Sequence, residues 1–224
     1  MLHRIPAAGR LLATSCLASI LGLLLPGSAS AASVDELSDA ELISTVQAAL
    51  AGTIGSHALP EGQRPIRCLT PYVLEMNARG FDVRALERPL SRDTLIDYDT
   101  PEGHFTIQYY VAGPDSVSIL DADQSGIPDY VEWVAVAMEE SYQREVTDLE
   151  LPFPVGGRYI VRLRNLGTGT YGVTWPDRPS FFGGSYMEIN ADFEAFLAAN
   201  PSLTNDDPDG SLRGAIRVTA AHEF

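Results

Sequence analysis

The most specific chemical spacing in the chain lies in the acidic loop Asp121–Glu132. Oxygen-bearing side chains occupy positions 1, 3, 5, 9 and 12 of this loop, and a backbone carbonyl falls at position 7. The residues at these positions are Asp121, Asp123, Ser125, Asp129 and Glu132, with Ile127 supplying the carbonyl. Gly126 stands at position 6, where such a loop turns sharply. The spacing therefore predicts a calcium site and favours it over a turn that only caps the following helix.

Two features separate this loop from a paired EF-hand. Pro128 occupies position 8, which is usually an apolar strand residue, and Val117–Leu120 has the composition of an extended segment. A helix is therefore not expected to enter the loop. We expect a single calcium loop that stabilises the fold rather than one that senses a signal.

A second pattern stands at the end of the printed sequence, where His222 and Glu223 are followed by Phe224. In an H-E-x-x-H helix the two histidines lie on one face and bind one zinc ion, and the glutamate acts as general base. The second histidine would be residue 226, so we expect that Phe224 is not the natural end of the chain. The dipeptide alone favours an exposed polar helix end, because it is short enough to occur by chance.

The other histidines carry weaker signals. His104 precedes a predicted strand and has no second ligand at metal-site spacing, so we interpret it as a strand-start residue, with metal ligation as the lesser alternative. His57 lies in a polar, glycine- and proline-containing segment and receives no role.

The N-terminal half of the chain is predicted to be helical. Ser38 and Glu41 form a capping box at the start of a helix over 33–52. A linker is expected over 53–70, and a weaker helical region over 71–90 is interrupted at Gly80 and Pro89. Region 32–95 is therefore either a propeptide or an N-terminal cap.

The region 96–224 mixes strands with helices and predicts an α+β domain. Alternation of apolar and polar residues predicts strands at 105–111, 159–164, 171–175 and 186–190. Helical periodicity predicts helices at 129–149 and 191–199 and one that begins near Ser211. The buried stripe of the first of these is expected to include Val131, Val134, Met138, Tyr142 and Leu149.

Residues 1–31 have the pattern of a secretory signal peptide. Arg4 and Arg10 precede the uncharged apolar run Leu11–Leu25, and Ala29–Ala31 supplies a small-residue cleavage site. The run is short for a bilayer span, which disfavours a membrane anchor. We expect cleavage after Ala31 and an extracellular product.

Composition limits the possible partners. The chain has 30 acidic and 15 basic residues, all of the latter arginine, and a formal net charge of −15, which argues against nucleic acid and anionic membranes as partners. A hydrophobic fraction of 45% is sufficient for a packed core.

Cys68 is the one cysteine outside the predicted signal peptide. A lone cysteine in an exported protein suggests a disulfide partner elsewhere, and that partner could lie after Phe224.

Several segments together resemble a family of secreted bacterial zinc metallopeptidases of the zincin type. The matching segments are Arg67–Pro71, Thr100–Phe105, Leu120–Glu132, Tyr171–Trp175, Ser185–Asn190 and Val218–Phe224. The resemblance implies a zincin-like mixed sheet with long helices. It also implies Zn²⁺ as a cofactor beside the predicted Ca²⁺, with His222 as the first zinc ligand and Glu223 as the catalytic base. The strand at 186–190 would be the edge strand, on which Tyr186, Glu188 and Asn190 contact a peptide substrate.

The combined prediction is a calcium-stabilised, secreted metallopeptidase that hydrolyses peptide bonds in peptide or protein substrates. With a single motif histidine, the chain as printed is expected neither to retain zinc nor to cleave peptides. The alternative is a non-catalytic, calcium-dependent extracellular binding module. Residue 226 distinguishes the two, because the enzyme mechanism requires a second histidine there.

Overall fold

A computed structural model describes residues 33–50, 68–153, 155–176 and 184–224. The predicted signal peptide, residues 53–67 of the predicted linker and His57 lie outside these ranges. The described parts form a five-stranded mixed sheet with five α-helices, so the prediction of an α+β fold is confirmed. None of the described helices is both long enough and apolar enough to span a membrane.

The sheet combines a parallel centre with antiparallel margins. Its strands are β1 (Ile96–Asp99), β2 (Phe105–Tyr109), β3 (Tyr159–Arg164), β4 (Gly172–Pro176) and β5 (Ser185–Asn190). The order across the sheet is β1-β2-β3-β5-β4. β2, β3 and β5 run parallel, whereas β1 and β4 pair antiparallel with their neighbours. Strand β1 was not predicted, because only four residues alternate there.

The expectation that 186–190 is an edge strand is wrong. β5 pairs with β3 on one side and with β4 on the other, so its backbone donors and acceptors are used within the sheet. The edge position at this end belongs to β4. A peptide can add a strand only at a free edge, so β5 cannot receive one.

The helices agree closely with the sequence pattern. They are α1 (Asp39–Leu50), α2 (Thr70–Ala78), α3 (Asp129–Tyr142), α4 (Phe193–Ala199) and α5 (Ser211–Glu223). Short 3₁₀ turns occur at Val34–Glu36, Val83–Leu86 and Pro201–Leu203, and a π-helical stretch, Gln143–Asp148, follows α3. As predicted, no helix enters the acidic loop, since 117–120 is irregular.

Local contacts account for two of these helices. The Ser38 amide donates to Glu41 Oε2 at 2.9 Å and the Glu41 amide to Ser38 Oγ at 3.3 Å, which confirms the capping box. Val134 and Met138 of α3 are fully buried, as expected. Leu149 was expected in the same stripe but is 55% exposed, because the regular α-helix has ended before it.

Two hydrophobic cores lie on opposite faces of the sheet. The larger joins β2, β3 and β5 to α3, α4 and α5 through buried residues that include Phe105, Val131, Val161, Met187 and Ile216. The smaller packs α1 and α2 against β4 through Leu42, Val46, Val73, Met76, Val173 and Trp175. The described N-terminal helices therefore share a core with the sheet across the boundary drawn near residue 95.

Candidate metal centres

The first centre lies where α5 ends beside β4. One donor atom each from Cys68, His222 and Glu223 lies within 4.8 Å of the other two. His222 is exposed, Cys68 is partly buried and Glu223 is 4% exposed. His222 and Glu223, the last two residues of α5, thus lie close to Cys68, which stands two residues before the start of α2.

Glu223 is held by hydroxyl groups on both neighbouring segments. Its Oε2 accepts a hydrogen bond from Thr70 Oγ1 and lies 3.3 Å from Thr174 Oγ1. The Thr174 hydroxyl also lies 2.7 Å from the Glu223 carbonyl oxygen. The other carboxylate oxygen, Oε1, is buried and has no hydrogen-bond partner among the described residues. This oxygen is therefore free to accept a proton or to meet a cation.

The close approach of Glu223 to β4 depends on Gly172. A Cβ at position 172 would stand 2.9 Å from Glu223 Cγ, 3.0 Å from Thr219 Cγ2 and 3.1 Å from the Glu188 carbonyl. These separations are shorter than normal packing contacts. The absence of a side chain at 172 lets α5 lie directly on the strand.

Cys68 reaches this centre because its segment lies along β4. Cys68 and Gly172 form an isolated parallel β-bridge, and the Leu69 amide donates to the Gly172 carbonyl at 3.3 Å. Cys68 forms no disulfide within the described residues. Burial and the neighbouring Glu223 carboxylate raise the pKa of the Cys68 thiol to about 12. Sequence reasoning did not connect Cys68 with His222, because no local pattern links residues so far apart.

The donor types at this centre fit zinc. Thiolate sulfur, imidazole nitrogen and carboxylate oxygen are the ligands that Zn²⁺ takes in proteins. Zinc–ligand bonds of 2.0–2.3 Å place two tetrahedral donors about 3.6 Å apart. The three donor atoms lie within 4.8 Å of one another, so they are near enough to approach a single ion.

The second centre is the acidic loop. The carboxylates of Asp121, Asp123 and Asp129 converge, with one oxygen of each within 4.8 Å of the others. Backbone amides orient them: the Ser125 amide lies 3.0 Å from both Asp121 Oδ1 and Asp123 Oδ1. The Ala122 amide donates to Asp129 Oδ1 at 2.9 Å. Hydrogen bonds from Ser125 lower the pKa of Asp123, which keeps that carboxylate ionised.

The remaining predicted calcium ligands differ in placement. Gly126 adopts φ 88°, a left-handed conformation that suits the expected sharp turn. The Ser125 hydroxyl and the Ile127 carbonyl lie 3.2 Å apart in the same turn. Glu132 is in the first turn of α3, and its carboxylate is not part of the group of three. The loop thus brings together three of the four predicted carboxylates.

A cavity of about 790 Å³ adjoins this loop. Asp123, Asp129 and Glu132 line one part of it, and His104 and Glu139 line another. His104 Nδ1 lies 2.6 Å from Glu139 Oε2, and the His104 ring stacks on Tyr142. The placement of His104 directly before β2 agrees with the strand-start interpretation.

The three residues predicted to bind substrate have structural contacts instead. Tyr186, Glu188 and Asn190 are each at most 5% exposed. Glu188 lies 3.7 Å from the buried guanidinium of Arg164. Asn190 Nδ2 donates to two backbone carbonyls, at 2.7 and 2.9 Å. These contacts, together with the central position of β5, remove the basis for their assignment to substrate.

Comparisons of the chain with protein-family models, curated proteins and solved structures find no match. The fold and the two centres define the chain as an α+β protein with two clusters of metal-binding side-chain types.

Proposed function

We propose that this chain carries zinc-site residues of a secreted, zincin-like metallopeptidase. The observation that supports this most is the meeting of His222 and Glu223 with a third donor, Cys68, beside the edge strand β4. His222 is the zinc ligand and Glu223 the general base. A further histidine at residue 226 would lie one helical turn beyond His222, on the same face.

The environment of Glu223 suits a base. Bound zinc supplies Lewis acid chemistry at the scissile carbonyl. Oε2 is occupied by threonine hydroxyls, so Oε1 is the oxygen that takes a proton from the attacking water and passes it to the leaving amine. Thr70 and Thr174 fix the orientation of the carboxylate. Strand β4 offers the edge along which the substrate backbone would pair.

The acidic loop is proposed to hold one structural Ca²⁺. Three convergent carboxylates on a tight loop provide the oxygens that this ion prefers. The loop leads directly into α3, which packs against α5, so the ion would stabilise the helix pair beneath the zinc site. The same loop also supports the alternative function, a calcium-dependent binding module without catalysis.

The experiment compares the full product of the gene with its Glu223→Gln variant. We expect the parent to contain zinc and to cleave casein, and chelation to abolish cleavage. The variant should retain zinc and lose cleavage, because glutamine keeps the shape of the side chain but cannot accept the proton. Glu194→Gln, at the exposed start of α4, is the matched control and should behave as the parent. A zinc-free parent, or a Glu223→Gln variant with parental activity, would leave the binding-module function in its place.

A further inference from the structure

We propose that loop 205–211 is a second loop of the calcium-binding type, in which the guanidinium of Arg217 takes the place of the ion. Arg217 belongs to α5, so this internal cation holds the loop against α5 without a metal. The inference goes beyond the proposed function. It concerns how the helix that carries His222 and Glu223 is held, and it does not depend on whether zinc binds.

The sequence of loop 205–211 follows the first half of a calcium-loop pattern. Positions 1, 3 and 5 carry oxygen-bearing side chains and position 6 is a glycine. The residues at these positions are Asn205, Asp207, Asp209 and Gly210. Gly210 has φ 95°, close to the 88° of Gly126 at the same position of the acidic loop. Each loop leads directly into a helix, α3 in the first case and α5 in the second.

Backbone amides orient the side chains of this loop, as they do in the acidic loop. The Asp207 amide donates to Asn205 Oδ1 at 3.1 Å, and the Asp209 amide donates to Asp207 Oδ1 at 2.9 Å. Asn205 Nδ2 also donates to the Ser211 carbonyl at 3.0 Å. A Cβ at Gly214 would overlap Asn205 Oδ1, so this glycine leaves the space that the Asn205 side chain fills. The loop and the first turn of α5 therefore form one unit.

The guanidinium of Arg217 lies where the carboxylates of the loop meet. Its Nη1 is 2.7 and 2.9 Å from the two carboxylate oxygens of Asp207, and its Nη2 is 2.7 Å from Asp209 Oδ2. Its Nε is 3.2 Å from Oε2 of Glu140, which belongs to α3. All three nitrogens thus face carboxylates, and the hydrogen bond from Arg217 lowers the pKa of Asp207. The same group joins the loop, α5 and α3.

The residue that closes a calcium loop is replaced here. Position 12, which supplies a bidentate glutamate in calcium loops, is Ile216. Ile216 is fully buried in the larger core, and the helix returns Arg217, the next residue, to the loop. The residue at position 12 of the acidic loop is Glu132. That loop therefore gains a further negative charge and requires a cation from solution, whereas loop 205–211 receives its cation from the chain.

Loss of the Arg217 charge would leave three carboxylates facing one another. Two of them, Asp207 and Asp209, lie on a loop with the turn of a calcium site, and Glu140 approaches from α3. Like charges so placed repel one another, and a divalent cation with a preference for oxygen ligands relieves the repulsion. An uncharged residue at position 217 should therefore convert loop 205–211 into a calcium site.

The test counts the calcium ions bound by the full product of the gene and by its Arg217→Met variant. Methionine keeps an apolar stem and removes the charge. We expect the variant to bind one ion more than the parent, with a dissociation constant of about 10⁻⁴–10⁻³ M, because position 12 supplies no carboxylate. Calcium at about ten times this constant should raise the melting temperature of the variant by about 3–6 °C more than that of the parent.

Two further variants serve as controls. Arg144→Met removes an arginine from an exposed pair with Asp148 and should bind as many calcium ions as the parent. The double variant Arg217→Met/Asp209→Asn should lose the extra ion. Equal numbers of ions in the parent and in Arg217→Met, or an extra ion that the double variant retains, would overturn the inference. Each count is a difference from the parent, so it is independent of whether the acidic loop binds calcium.

Nitrogen-15 NMR of the unmutated protein gives a second measurement that does not depend on how the variant folds. Carboxylates on three edges hinder rotation of a guanidinium, so Arg217 should give separate, slowly exchanging Nη signals, and Arg144 averaged ones. Saturating calcium should leave the Arg217 signals unchanged. Averaged Arg217 signals, or displacement of the guanidinium by calcium, would contradict the inference. A parent that binds no zinc would instead overturn the proposed function and leave this inference intact.

Discussion

Replacement of Gly172 by alanine tests whether α5 and its last residues lie on β4 as described. The new methyl group would meet Glu223 Cγ at 2.9 Å, Thr219 Cγ2 at 3.0 Å and the Glu188 carbonyl at 3.1 Å. None of these atoms is free to move, because Glu223 is hydrogen-bonded to threonines, Thr219 is on a packed helix and the carbonyl belongs to a paired strand. We expect overpacking to lower the free energy of unfolding by about 1–3 kcal/mol.

The assay is urea and thermal unfolding in the presence of a chelator, so that metal binding does not contribute. For a chain of 224 residues, each kcal/mol corresponds to a shift of about 2–4 °C in melting temperature. Gly157→Ala is the control, since a Cβ there would meet nothing within 4 Å. This control should be neutral or more stable by up to about 1 kcal/mol, because alanine restricts the unfolded chain. Equal stability of the two variants would refute the placement of α5 against β4.

Three further predictions concern other parts of the molecule. Calcium at about 100 times its dissociation constant should raise the free energy of unfolding by about 2.7 kcal/mol, and Asp121→Ala should abolish this effect. A melting temperature that is the same with calcium and with chelator would contradict the calcium site. Arg164→Met should cost about 3–5 kcal/mol, because it removes the buried guanidinium that lies 3.0 Å from Asp115 and 3.7 Å from Glu188, although Asp115 keeps its pair with Arg88. Arg144→Met, at an exposed pair, should cost about 1 kcal/mol or less, and similar losses for the two variants would show that the buried guanidinium is dispensable. N-terminal sequencing of secreted protein should begin at Ala32, and an intact Met1 on an intracellular product contradicts the leader.

The sequence by itself predicted the features that depend on neighbouring residues. The capping box at Ser38 and Glu41 and the buried stripe of α3 follow from interactions within one or two helical turns. The converging carboxylates of the acidic loop were also predictable, because all three belong to one short segment with a glycine at the required turn. In each case the chain brings the partners together without help from distant contacts.

The tertiary structure decided the order of the strands and the composition of the first centre. The family resemblance implied that 186–190 is an edge strand, but β5 pairs on both sides. Glu188 and Asn190 are buried there, beside Arg164 and the backbone carbonyls of a neighbouring loop. The meeting of Cys68 with Glu223 likewise depends on Leu69 packing into the core formed by β4 and the N-terminal helices. Strand order and contacts between distant residues are set by how the elements bury their apolar surface against one another. This burial depends on all elements at once, so a local pattern of residues does not predict it.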